Sequence, residues 1–413
     1  MKKHILVYSQ YFYPEQFRIN DICIDLVKRG YKVSVVTGIP NYPDGRFYKG
    51  YSWNNQRYET WNEIDIYRMP IIPRGDNSIQ LASNYLSFVA GAKFNENKLP
   101  KDIDLVFTYE VSPMTQALPA IWIAKKYNVP HILYVMDLWP ENVVGVTGIK
   151  NQVIINPLNK MVDYIYNNSD KILTSSKSFK ESIIDRGINS DKIEYWPQYA
   201  EELYQKYDKN NDKVTISPID VPSFVFAGNI GEAQGLEILP KVARELQKSN
   251  VKVKFVLIGD GRAKQDLINV IDSMSVKDYF VFIDRQPAEA IPYYLAKFDV
   301  GLVILNEDEI FSRTIPAKLQ SLMASGMPIL LSANGEVQEI IKEARNGLIG
   351  DAGNIKQFVL NIEKFARISK EEMISMSQKS LDYNKYHFDK TKLMNNLVQI
   401  FEEEINCLKT KHY

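Results

Sequence analysis

Ser223-Phe224-Val225-Phe226-Ala227-Gly228-Asn229-Ile230-Gly231 runs an apolar stretch into two glycines, and a helical pattern opens just beyond it, near Gly235. A short apolar run that ends in glycine and leads to a helix is the signature of a buried parallel strand handing over to its crossover. Glycine at that turn lets backbone amides approach an anion, and a helix start adds partial positive charge. A tight turn with no ligand would use the same residues, so the stretch fixes the strand before it fixes a site.

The same rhythm extends in both directions. Downstream, residues 252–258, 279–283 and 299–305 read as strands, with helical spacing at 236–248, 262–273 and 316–325. Upstream, 204–222 is a polar connector with a Lys-Asn-Asn-Asp-Lys run and two prolines. Before it, strands are expected at 4–9, 32–37, 104–109, 131–136 and 171–174, with helices at 113–127, 155–168 and 176–186. The first helix carries Ile19, Ile22, Cys23, Leu26 and Val27 at helical spacing and closes at Gly30. Strands interleaved with helices imply parallel sheets covered on both faces. The chain therefore divides into two Rossmann-like domains, 1–200 and 201–387. Such units take ligands at the carboxyl ends of their strands, which places the expected site in a cleft between them. Helical periodicity resumes at 390–408, where Leu393, Leu397, Ile400 and Phe401 need a core. The segment 388–413 is expected to cross back to the first domain.

Composition narrows the function. The 413 residues hold 50 Lys plus Arg against 50 Asp plus Glu, so no global field draws the protein to nucleic acid. No apolar run reaches the length of a membrane span, and the start of the chain reads as a strand, not a signal peptide. Cys23 and Cys407 suggest no disulfide framework, which fits a cytoplasmic protein. Four scattered histidines offer no zinc spacing, and Asp102-Ile103-Asp104 precedes a strand, where acids are common; no metal is expected.

Three further segments of the second half invite a diphosphate. Gly259 sits in the turn Gly259-Asp260-Gly261 after a strand, and Arg285 follows the next one. The loop Phe311-Ser312-Arg313-Thr314-Ile315-Pro316-Ala317-Lys318 joins two cations and two hydroxyls to a proline suited to open a helix. A diphosphate needs both charge and donors, and this loop offers both. A capped surface helix is the plainer alternative.

Taken together the motifs resemble retaining glycosyltransferases of the GT-B fold, family 4-like, in the branch that builds capsule, O-antigen and colanic-acid-type polysaccharides. The resemblance rests on Tyr11-Phe12-Tyr13-Pro14-Glu15, Gly38-Ile39-Pro40-Asn41-Tyr42-Pro43, Asp137-Leu138-Trp139-Pro140-Glu141, the segment Gly228 to Leu236, and Ile315-Pro316-Ala317-Lys318. It implies transfer of a hexosyl or N-acetylhexosaminyl group, with retention, from a nucleotide diphosphate sugar (UDP-linked) to a polyprenyl-diphosphate-linked saccharide, without a cofactor. It also departs from the wider family. The cationic pair that follows the first glycine there is replaced by Asn229 and Gln234, and the two glutamates of the later loop by Arg313 and Ser321. The donor is then expected to meet Gly228, Asn229, Gly231, Gly259, Arg285, Arg313, Thr314, Lys318 and Ser321.

On the acceptor side Asp137 and Glu141 are the expected catalytic carboxylates, and Glu110-Val111-Ser112-Pro113 holds the same kind of place one strand earlier. Phe17, Arg18, Asn41 and Tyr42 are the expected acceptor contacts. Arg18 either meets an acceptor phosphate or pairs with Glu15 or Asp21. Residues 78–95 form a helix richer in apolar residues than its flanks require; it either lies on the inner membrane surface or packs on the sheet. Two rivals remain, a nucleotide-sugar epimerase of the same fold and a catalytically silent sugar-nucleotide-binding partner.

Overall fold

The computed structural model describes residues 2–75, 77–148, 151–308 and 312–410. It divides into two compact units, Met1–Trp196 with Met394–Tyr413, and Pro197–Leu393.

The first unit holds an eight-stranded sheet: β1 (His4–Tyr8), β2 (Lys32–Gly38), β3 (Tyr58–Trp61), β4 (Ile64–Met69), β5 (Leu105–Glu110), β6 (His131–Val135), β7 (Lys171–Thr174) and β8 (Ile193–Tyr195). Their order is β3-β4-β2-β1-β5-β6-β7-β8, and every pair is parallel except β3 with β4. The strands β1, β5 and β6 are buried throughout, as a sheet covered on both faces requires. Strand order reverses at β1, which pairs with β2 on one side and β5 on the other.

The second unit holds six parallel strands: β9 (Ser223–Ala227), β10 (Lys254–Ile258), β11 (Phe280–Ile283), β12 (Val300–Ile304), β13 (Ile329–Ser332) and β14 (Gly347–Gly350). Their order is β11-β10-β9-β12-β13-β14, so the reversal falls at β9. Each switch point leaves a crevice at the strands' carboxyl ends, the place where open α/β sheets bind ligands.

Five strands escape the hydrophobic pattern of the sequence. The pair β3 and β4 is a hairpin turned by Asn62 and Glu63, both at positive φ, and its Arg68 is buried against Glu59. A charged residue at an inward position hides the alternation. The strands β8, β13 and β14 are only three or four residues long.

The helix Lys390–Thr410 packs with the first unit through Met394, Leu397, Ile400, Phe401 and Ile405, all buried. Phe401 meets Phe107 of β5 at 5.3 Å between ring centroids, and Glu402 accepts from the Tyr31 hydroxyl at 2.6 Å. Met394, not Leu393, supplies the first buried position of this seam, because Leu393 is only half-buried. The apolar residues of the helix Ser78–Phe94 do not share one face either. Phe88 and Ala92 enter the core of the first unit, whereas Ile79, Leu86 and Phe94 are 80%, 64% and 85% exposed.

Phe401→Ala removes a fully buried ring that bridges the last helix and the central sheet. It is expected to lower unfolding free energy by about 3–5 kcal/mol, read from chemical denaturation of the intact chain.

Candidate functional site

At the switch point of the first unit, the ends of β5 and β6 bring two carboxyls together. Glu110, the last residue of β5, is fully buried, and its Oε2 accepts from the Asp137 amide at 3.4 Å. Asp137 follows β6, and its Oδ2 accepts from the Ser112 amide at 2.8 Å. Trp139 Nε1 and Asn142 Nδ2 each donate to the Ser112 hydroxyl oxygen at 3.0 Å, which locks the two loops together. Burial holds both carboxyls above their usual range, and the Asp137 charge pushes Glu110 further up. Tyr85, from the helix Ser78–Phe94, faces Trp139 at 6.1 Å and feels the charges of Asp137 and Glu110. Asp137 thus pairs with Glu110, the carboxylate given less weight in the sequence. Glu141, the first residue of the next helix, instead acts on Tyr166.

The loop after β1 builds an aromatic wall. Tyr11 stacks on Phe17 at 5.2 Å, and Tyr42 leans on both at 5.5 and 5.3 Å. Arg74 lies 5.3 Å over Tyr42 and donates to the Tyr11 hydroxyl at 3.1 Å. Beneath the wall Glu15 Oε1 accepts from the amides of Asn41 and Tyr42, both at 2.7 Å, so one buried carboxyl ties the loop after β1 to the loop after β2. Burial raises Glu15 to about 7. Asn41 is wholly buried, donating to the Ile39 carbonyl and accepting from the Arg74 amide, and so supports the wall from behind. Arg18 heads the helix Arg18–Lys28, and its charge acts on buried Tyr134. Phe17 and Tyr42 are expected from the sequence as acceptor contacts; Tyr11 enters there only as part of a motif, and Arg74, far along the chain, not at all.

In the second unit the turns after β9 and β10 pack backbone on backbone. Gly228 donates its amide to the Ile258 carbonyl at 3.0 Å, and Ile230 donates to the Asp260 carbonyl at 2.8 Å. A Cβ on Gly259 would stand 2.0 Å from the Gly228 carbonyl oxygen, so the second turn must be glycine for the first to exist. Lys318 reaches this turn from the helix Ala317–Ala324. Its ammonium sits 3.7 Å from the centre of the Phe226 ring and donates to Gln234 Oε1. Burial lowers Lys318 to about 7, and among the described residues no carboxylate pairs with it. Pro316 occupies the cap of that helix and Ala317 its first turn, one residue later than the sequence suggests. Arg313 and Thr314 are half-buried in the loop before it, which lies against Gly335; Phe311 lies outside the described residues.

Asn229 is exposed at the turn, with its amide group folded over Gly231. Ser321 is buried, its hydroxyl directed at the Ala317 carbonyl at 3.4 Å. Arg285 is exposed beside Asp284, which pairs with Lys264 at 2.8 Å. The structure thus brings Gly228, Gly259 and Lys318 together and leaves Arg285 at the solvent surface. Asp102 and Asp104 serve the start of β1: Asp104 accepts from the His4 amide at 2.8 Å, and Asp102 pairs with Lys32 at 3.1 Å. His131 is buried between Thr108 and Ser169 and driven down to about 3 by burial.

Comparison with known proteins assigns each half separately. Residues 18–198 match the family model described as Glycosyltransferase Family 4, and residues 208–384 the one described as Glycosyl transferases group 1. The putative colanic acid biosynthesis glycosyl transferase WcaI of Escherichia coli is 23% identical over 80% of this chain and 83% of its own. The amylovoran biosynthesis glycosyltransferase AmsK of Erwinia amylovora is 21% identical over 52% of this chain and 53% of its own. Among solved structures, sucrose-phosphate synthase of Thermosynechococcus elongatus superposes with TM-score 0.76 at 14% identity, covering 98% of this chain and all of the other. The HepE protein of Anabaena, solved with UDP and glucose, superposes with TM-score 0.68 at 14% identity, covering 97% of this chain and 100% of its own.

Glu15 makes a test that needs no substrate. Its value is raised in the native protein from the ordinary 4.5 to about 7. Across that window the unfolded chain gives up the proton first, so native stability falls as pH rises, by about 3 kcal/mol in total. Glu15→Gln should flatten this slope in denaturation series between those pH values. An unchanged slope would show that Glu15 ionises normally.

Proposed function

From the premise that the chain is a glycosyltransferase of the GT-B fold, we propose that it transfers a hexosyl or N-acetylhexosaminyl group, with retention, from a UDP-sugar. The acceptor in this reading is a polyprenyl-diphosphate-linked saccharide on the way to a surface polysaccharide. The observation that carries the donor half is Lys318, a half-buried ammonium held over an aromatic face beside a glycine turn. A half-buried cation held over a ring, with no carboxylate paired to it among the described residues, gains from an arriving anion, and a diphosphate is the anion this turn suits. Gly228 and Gly259, whose amides are held by the Ile258 and Ile283 carbonyls, would leave room for a close approach, and Asn229 and Gly231 would supply amide donors, with Arg313 and Thr314 flanking the phosphates. Arg285, at the end of β11, and Ser321, one helical turn beyond Lys318, are the outer members of the donor set. Lys318 would stabilise the diphosphate as it leaves with added negative charge. The HepE complex supports uridine as the base, and the colanic acid and amylovoran homologues support polysaccharide assembly.

In the first unit Asp137 would orient an acceptor hydroxyl, with Glu141 at the start of the following helix shaping the same loop. Phe17 and Tyr42 would give the acceptor sugar an aromatic wall, held from behind by Asn41, and Arg18 and Arg74 would supply charge for its phosphate. A lipid-linked acceptor brings the protein to the inner membrane surface, and Ile79, Leu86 and Phe94 are the exposed apolar residues suited to it. Among the described residues no helix is long and apolar enough to cross a membrane.

Three measurements test this reading. Lys318→Ala should weaken UDP binding by about 1.5–3 kcal/mol and leave uridine binding nearly unchanged, as calorimetry would read. Equal losses for both ligands would place the phosphates elsewhere. The second measurement follows the proton. A diphosphate beside Lys318 favours its charged form, so UDP binding at about pH 8, where the UDP phosphates are already ionised, should take up close to one proton. Calorimetry in buffers of different ionisation enthalpy reads this uptake, which Lys318→Ala should abolish. For the membrane, Ile79→Asp with Leu86→Asp should reduce pelleting with anionic liposomes at unchanged thermal stability. Undiminished pelleting would remove this face from the reading.

A further inference from the structure

The two carboxyls at the ends of β5 and β6 are unequally served. Asp137 accepts from the Ser112 amide at 2.8 Å. The Ser112 hydroxyl has both acceptor positions filled by Trp139 and Asn142, each at 3.0 Å, so its own proton is directed to Asp137 as well. Glu110 receives one long bond, 3.4 Å from the Asp137 amide, to its Oε2. Its Oε1 is buried with no hydrogen-bond partner among the described residues.

Two adjacent buried carboxyls hold one negative charge far more readily than two. The donors decide which group keeps it. Asp137 has two good donors for an anion; Glu110 has the Asp137 amide at 3.4 Å and a smaller contribution from the Met136 amide, and no cation among the described residues pairs with it.

A proton on Glu110 Oε1 needs an acceptor, and two more orphaned atoms are at hand. The Tyr166 hydroxyl and Glu141 Oε2 are likewise buried and unpartnered among the described residues. Burial first, and then the charges of Glu110 and Glu141 among others, raise Tyr166. No direct hydrogen bond joins the three, and an internal water bridging polar groups of this kind is a regular part of protein interiors.

We propose that Glu110 is a neutral carboxylic acid at physiological pH, joined through an internal water to the Tyr166 hydroxyl and Glu141 Oε2, and that it positions Asp137 as the single ionised carboxylate of the pair. The groups facing it are Asp137 from the loop after β6, Tyr85 from the helix Ser78–Phe94 and Tyr166 from the helix Gln152–Asn167. Arg186 and Asp163 also act on Tyr166. Glu110 is a positioning residue, since it reaches an acceptor only through Asp137. That consequence rests on the transfer reading above; the protonation itself does not.

Infrared difference spectroscopy of the whole protein tests it without donor or acceptor. At about pH 8, above the value of about 7 for Glu15, the wild type should show the carbonyl stretch of a buried carboxylic acid. Glu110→Gln should remove the band, Asp137→Asn should keep it, and Tyr166→Phe should shift it by changing its hydrogen bonding. A wild-type spectrum with no acid band overturns the proposal, and so does a band that survives in Glu110→Gln and disappears in Asp137→Asn. The wild-type spectrum is decisive even where a variant fails to fold. Because no sugar nucleotide is present, a negative result leaves the transferase reading standing.

Discussion

A parallel sheet sends every strand's closing loop to the same edge, and where the strand order reverses, two neighbouring loops must part. Both units of this protein are organised by that constraint. In the first, reversal at β1 exposes the loop after β1 and the end of β5, and the aromatic wall and the carboxyl pair occupy those positions. In the second, reversal at β9 exposes the glycine turn that receives Lys318. Each cluster is an outcome of strand order before it is an outcome of any side chain.

The two sites meet the cost of burying charge in opposite ways. Around Asp137 and Glu110, burial and like charge favour keeping a proton, and backbone and hydroxyl donors choose which carboxyl stays ionised. At Lys318 burial favours losing a proton, and a neutral amide and an aromatic face are the partners. In the first arrangement the protein itself supplies Asp137 with donors. The second would gain from an arriving anion.

The departure of the sequence from its wider family acquires a physical setting here. Gln234 is one of the neutral residues that the resemblance sets against an expected cation, and in the structure it accepts a hydrogen bond from Lys318. A neutral amide at that place holds the lysine head over Phe226, where a second cation would repel it.

The sequence by itself determined the strand–helix rhythm, the division into two α/β units, the glycine turns and the helix that carries Lys318. All of these are local: they follow from apolar periodicity, from glycine's freedom at positive φ, and from residues within one or two turns of each other. Tertiary structure alone decided which distant residues meet. Glu110 joined Asp137 because β5 and β6 are neighbours, and Tyr11 met Arg74 because the first loop and the segment before the helix Ser78–Phe94 converge on one switch point. It also decided that Phe88 is core while Leu86, two residues earlier on the same helix, is exposed. Periodicity states that a face is apolar, but what lies against that face depends on the order of strands in a sheet that no local pattern encodes.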